Sequence, residues 1–202
     1  MHRVVVLGGG FGGIATACAL RDHLPTEDEV VLVERRPTFV MGLRKNWALV
    51  GAATLSAGER SLAALRERRI AVRAGTVTAI DPAARAADVD GDRLEADALV
   101  VALGAAQDPD AIPGFRDHAI DLYDVGASAA GAAAIDAFRG GSVVIGIFGV
   151  PYPCPPGPYE FALLLMERLE ARGVTGGMLV FTPQPGSLPI LGTDGCAAFD
   201  GR

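Results

Sequence analysis

Residues Val4 to Leu24 read VVVLGGGFGGIATACALRDHL. The first four are an unbroken apolar run, as expected of a strand buried on both faces, and the last twelve carry small and apolar residues at helical spacing. Between them Gly8, Gly10 and Gly13 form GxGxxG, and a second apolar run, VVLV, ends at Glu34. The glycine spacing alone is a weak signal. Strand, glycine turn, helix and a second strand ending in an acid together describe a dinucleotide site. Gly8 permits the tight turn, Gly10 lets a pyrophosphate approach the backbone, and Gly13 lets helix and strand pack closely. The helix, expected from about Gly12 to His23, offers N–H groups and a partial positive charge to the phosphates, and Glu34 can accept from ribose hydroxyls. Ile14, Ala17, Cys18 and Arg21 share one stripe of that helix, which makes Cys18 a packing residue facing the sheet.

The bulk numbers fit a globular domain or two small ones: 202 residues, 50% hydrophobic and 21% charged, with a net charge of -6. An acidic chain has no surplus to neutralise phosphates, which argues against nucleic acid, and Arg66, Arg68 and Arg69 read as a solvated helix end. No apolar run reaches the roughly 20 residues that span a bilayer, and the N-terminus lacks signal-peptide features, so a cytoplasmic location is expected. Cys18, Cys154 and Cys196 are too few and scattered for a disulfide scaffold or a zinc site, and no metal is expected. His2, His23 and His118 have no partner pattern.

Beyond Glu34 the stretch PTFVMGLRKNWALVG has no readable period. A helix near Leu62–Arg68 and a strand near Ile70–Arg73 follow. Short alternating strands separated by DPAA and DGD then form an antiparallel excursion, whose last strand, Ala98 to Leu103, should return to the interior of the parallel sheet. The segment GAAQDPDAIPG marks a crossing between domains, placed at 1–107 and 108–202. A helix from about Ala127 to Phe138, a strand from Ser142 to Phe148, a helix reaching Arg172 and a strand from Met178 to Phe181 begin a second Rossmann-like unit. The fold class is α/β: a doubly wound parallel sheet with an antiparallel excursion, followed by the start of a second such unit.

That second unit has PYPCPPGPYE, residues Pro151 to Glu160, where a phosphate turn would belong. Its five prolines have no N–H to donate, and Glu160 adds negative charge in the first helical turn. The turn is poorly suited to a nicotinamide dinucleotide. A thiol near a helix N-terminus suits something else, because partial positive charge favours thiolate.

The strand and glycine of ADALVVALGAAQDPDAIPG, with the excursion GTVTAID, resemble the two-dinucleotide-binding flavoprotein superfamily, the pyridine nucleotide-disulfide oxidoreductases. The resemblance implies FAD at the first site, with Gly8, Gly10, Phe11, Gly12, Gly13, Glu34, Arg35, Val77 near the adenine, and Gly104 as the cofactor-binding set. PYPCPPGPYE, together with MLVFTPQPGSLPILG, is more closely similar to the sulfide:quinone oxidoreductases and flavocytochrome c sulfide dehydrogenases. That likeness implies that Cys154 is the redox cysteine beside the flavin, that Glu160 handles protons, and that the prolines form a rigid collar around the sulfur. The partners implied are sulfide or another small sulfur donor, and a quinone or other electron acceptor. Where many members carry a further cysteine, AIDLYDVGASAA has none. The resemblance implies the N-terminal half of such a protein, which in a longer form could lie peripherally at a membrane. Two alternatives stay open: an NAD(P)H-dependent reductase such as a type II NADH dehydrogenase, and a non-catalytic nucleotide-binding fragment.

Overall fold

In the computed structural model, which describes residues 1–42 and 44–201, the alternation of side chains along the first strands decides how the layers form. The parallel strands β1 (Arg3–Leu7) and β2 (Glu29–Glu34) lie side by side, with Val5 opposite Val31 and Leu7 opposite Val33. Helix α1 (Phe11–His23) joins them. Val6, Val30 and Leu32 point one way and pack with Ala17 of α1 and Ile70. Val5, Leu7, Val31 and Val33 point the other way, against Ala87, Val89 and Leu94. Both faces are dry, and each buried valine or leucine contributes about 1.5–3 kcal/mol.

The cover on the second face is an antiparallel sheet. After the short antiparallel pair β3 (Thr38–Val40) and β4 (Glu59–Ser61) comes a 3-10 helix over Leu62–Arg68, capped by the Ser61 hydroxyl. Strand β5 (Ala71–Ala74) then joins the parallel sheet, and β6 (Val77–Asp81), β7 (Ala86–Val89) and β8 (Asp92–Glu95) form the three-stranded cover. The return strand β9 (Ala98–Val101) pairs with β1, giving the order β5-β2-β1-β9. This corrects the sequence expectation that it lies inside the sheet. Among the described residues β9 is an edge, and Val101 stays 57% exposed.

The chain divides into two compact units, one of residues 1–40 and 59–106, the other of residues 41–58 and 107–202. The second boundary falls one residue before the expected crossing. Sequence reading did not anticipate that Met41–Gly58, spliced between β3 and β4, belongs with the later unit.

The second unit contains α2 (Arg44–Leu49), the short α3 (Phe115–His118), α4 (Ser128–Ala137), β10 (Gly141–Gly146), α5 (Gly157–Ala171), β11 (Gly176–Phe181) and α6 (Gly192–Asp200). β10 and β11 pair in parallel. The inward residues Val143, Ile145, Met178 and Val180 pack with Phe161, Ala162, Leu165 and Leu169 of α5, and with Leu49 and Val50. Val144 and Leu179, which alternate with them, are more than half exposed. Helix α6 lies in a stretch where the sequence showed no element.

Candidate functional sites

The first candidate site begins with three glycines that differ in what surrounds them. Gly8 has φ +105°, and a Cβ there would lie 2.3 Å from the Ala102 carbonyl oxygen. A Cβ on Gly13 would meet the Gly8 carbonyl oxygen at 1.7 Å. These two glycines are demanded by the chain's own packing. A Cβ on Gly10 would meet nothing within 4 Å, so the space over it is free for a ligand. Gly10 is also the N-cap of α1, whose first-turn N–H groups have no partner within the helix.

Beside this turn is a cleft of about 240 Å³ lined by Gly8, Val33, Glu34, Arg35, Arg36, Gly75, Thr76, Val77 and Leu103. Four of the residues singled out from sequence, Gly8, Glu34, Arg35 and Val77, therefore meet on one wall. The parallel register of β2 with β5 sets Glu34 opposite Ala74, and Gly75 then donates to the Glu34 carbonyl at 3.1 Å. That register carries Thr76 and Val77 to the cleft, so the residues just before Val77 were findable from GTVTAID once the pairing was known. Phe11 is exposed and packs edge-on against Phe39, with centroids 4.8 Å apart. Gly12 is the second residue of α1, and Gly104, at φ +73°, follows β9 outside the cleft lining.

Glu34 is the charged centre of the cleft. Its carboxylate accepts from the Gly9 N–H at 2.7 Å and the Arg36 N–H at 3.0 Å, with the Arg36 guanidinium 3.6 Å away. Burial works to raise this carboxyl. The two N–H donors and the charges of Arg36 and Arg35 outweigh it, so the group lies below its ordinary value. An ionised acid at the tip of β2, a glycine turn with open space above it, and a helix N-terminus fit the ribose and pyrophosphate of an adenine dinucleotide.

The second candidate site is the turn from β10 to α5. Cys154 is exposed, and its backbone is left-handed at φ 53°. Such a conformation costs a non-glycine residue about 1–2 kcal/mol and persists only where neighbours enforce it. Here two donors hold the Cys154 carbonyl, the Gly157 N–H at 2.8 Å and the Tyr123 hydroxyl at 3.2 Å. Tyr152 donates to the Pro155 carbonyl at 3.2 Å. The sulfur lies over Gly157, where a Cβ would approach it to 3.5 Å. Burial, then the neighbouring Cys154, pushes the Tyr123 phenol above its ordinary value, so it stays a hydrogen-bond donor through the physiological range.

Glu160 lies in the first turn of α5, where helix polarity favours an acid. Its Oε2 accepts from Asn46 Nδ2 at 3.0 Å, and the same Nδ2 donates to the Gly157 carbonyl at 3.1 Å. Lys45 donates to the Tyr123 carbonyl and stands 5.6 Å from that ring's centroid. Sequence reading missed Lys45, Asn46 and Tyr123, which lie up to 114 positions from their partners. The other cysteines differ from Cys154. Cys18 is half-buried against the α1 core rather than enclosed, and half-buried Cys196 donates to the Leu188 carbonyl at 3.0 Å.

Comparisons with known proteins agree with this geometry. The family profile described as pyridine nucleotide-disulphide oxidoreductase matches residues 2–147, and members of that family bind FAD. The solved sulfide:quinone oxidoreductase of Aquifex aeolicus superposes on the whole chain with a TM-score of 0.87 at 26% identity, and the chain covers 48% of that protein. NDH2 from Plasmodium falciparum, solved with NADH, gives a TM-score of 0.75 at 13% identity over 97% of this chain and 44% of that one, a likeness of fold. A type II NADH:quinone oxidoreductase of Staphylococcus aureus is 27% identical over 128 residues, which make up 61% of this chain and 31% of that protein. The chain thus spans about a third to a half of these proteins' length. No helix among the described residues is long and apolar enough to cross a membrane.

Proposed function

The chain belongs to the pyridine nucleotide-disulphide oxidoreductase family, and from that we propose that it serves an FAD-dependent oxidation of sulfide, with Cys154 as the sulfur-carrying thiol and a quinone as the final acceptor. The single observation carrying this reading is the exposed, left-handed Cys154, clamped by Gly157 and Tyr123 where the first unit has its glycine turn. In the proposed reaction a Cys154 thiolate and hydrosulfide join as a persulfide, releasing one proton and two electrons. The quinone takes the two electrons with two protons. FAD, when bound, supplies the two-electron relay. Gly8, Gly10, Phe11, Gly12, Gly13, Glu34, Arg35, Val77 and Gly104 are the residues proposed to hold it. Glu160 is the proposed acceptor of the released proton.

Support for the second site not being a pyridine nucleotide site comes from the start of α5. Pro156 and Pro158 have no N–H, and the Gly157 N–H is already given to Cys154. A second reading, an NAD(P)H-dependent reductase such as a type II NADH dehydrogenase, is favoured by the Staphylococcus aureus relative, and under either reading a longer form of the protein would lie peripherally at a membrane. The two readings separate on one experiment. FAD-loaded protein is given sulfide and a soluble quinone, and Cys154 is examined by mass spectrometry. A mass gain of one sulfur on Cys154, lost in Cys154→Ala together with quinone reduction, supports the sulfide reading. Quinone reduction driven by NADH and unaffected by Cys154→Ala supports the second.

A further inference from the structure

The residues that secure the Cys154 turn come from an unexpected part of the chain. Met41–Gly58 leaves and re-enters the sequence between β3 and β4, strands of the first unit, yet is part of the second. Two neighbouring residues of α2 reach the two sides of the turn. Lys45 holds Tyr123, which holds the Cys154 carbonyl. Asn46 holds the Gly157 carbonyl and the Glu160 carboxylate. Asn46 is only 7% exposed, so its amide must be satisfied by protein, and the two hydrogens on Nδ2 go to these two acceptors.

We propose that Asn46 is a positioning residue for Glu160: its buried amide fixes Oε2 inside the first turn of α5, keeping the negative charge away from the exposed Cys154 sulfur and leaving Oε1 to take a proton. The assignment rests on the reading of Cys154 and Glu160 given above. A neutral donor suits this task. It makes a charge-assisted hydrogen bond to the carboxylate without adding a countercharge that would suppress its basicity. It also ties the carboxylate to the carbonyl of Gly157, the same residue whose N–H clamps Cys154. Without the anchor, Glu160 can swing out of the buried side of α5, and a carboxylate nearer the sulfur disfavours the reactive thiolate.

The test uses the 202-residue chain with no flavin and no sulfide, following alkylation of Cys154 by iodoacetamide at neutral pH with mass-spectrometric readout. Asn46→Ala is expected to slow labelling about 3- to 10-fold, because a carboxylate nearer the sulfur leaves less of the reactive thiolate. In a Glu160→Gln background the same change should alter the rate by less than about 1.5-fold, since the charge to be positioned is gone. Should Asn46→Ala not fold, Asn46→Ser, which keeps one donor, carries the same pair of measurements. Labelling at the wild-type rate or faster, or an equal slowing in the Glu160→Gln background, overturns the proposal. Failure of the sulfide reading would register separately, as no persulfide on wild-type Cys154 with normal labelling rates.

Discussion

The two strand-turn-helix units use the same scaffold for opposite ends. In the first, three glycines connect β1 to α1; in the second, residues 147–156 connect β10 to α5 and include four of the five collar prolines. The short turn leaves the α1 N-terminus open, with free space over Gly10. In the long one the carbonyl of a single cysteine takes both the first N–H of α5, from Gly157, and the hydroxyl of the distant Tyr123. Where the first strand pair ends on the ionised Glu34, β11 ends on Phe181. A helix N-terminus can thus receive a phosphate or present a thiol, and the residue types in the turn decide which.

The largest effects should come from the glycines, where packing and ligand space can be separated. Gly13→Ala forces a Cβ against backbone and should cost more than about 3 kcal/mol, enough to lose the thermal transition. Gly10→Ala should leave stability within about 1 kcal/mol of wild type while weakening FAD binding more than about tenfold, read by flavin fluorescence titration. Similar losses of stability in both variants would erase the distinction between a structural and a ligand-facing glycine.

A middle-sized effect is expected from the strained cysteine. Cys154→Gly relieves the left-handed backbone and Cys154→Ala does not, so urea unfolding should place the glycine variant about 1 kcal/mol above the alanine one. The reverse order would mean that the turn is not held in the conformation described.

The smallest effect concerns Glu34. A carboxyl held below its ordinary value in the folded chain adds stability that is present above its unfolded value near 4.3 and is lost as pH falls through the lower folded value. Wild type should therefore exceed Glu34→Gln in stability around pH 6, and the gap should close below about pH 4. A gap independent of pH would assign the difference to lost hydrogen bonds alone.

Much of the first unit was legible because its signals are local. The runs at Val4–Leu7 and Val30–Val33, the glycine spacing and Glu34 all lie within one short stretch. The prolines that flank Cys154 are likewise local, all lying within residues 151–158. Partners set by distant packing were not. Asn46 meets Gly157 across 111 positions, in a stretch without period, and α2 is too short to show one. Strand β9 misled differently: apolar residues on both faces look the same at an edge as at the centre of a sheet, since the pattern reports the faces and not the hydrogen-bonding neighbours. The long-range contacts of Lys45 and Tyr123 likewise have no local signature.

The most direct test of the contrast between the two turns is to follow the flavin absorbance of FAD-loaded protein under anaerobic conditions, adding sulfide to one sample and NADH to another, for wild type and Cys154→Ala. The account predicts that sulfide bleaches the wild-type flavin, that Cys154→Ala abolishes this response, and that NADH leaves the flavin oxidised in both. Bleaching by NADH at equal rates in wild type and Cys154→Ala, with no response to sulfide, would contradict it.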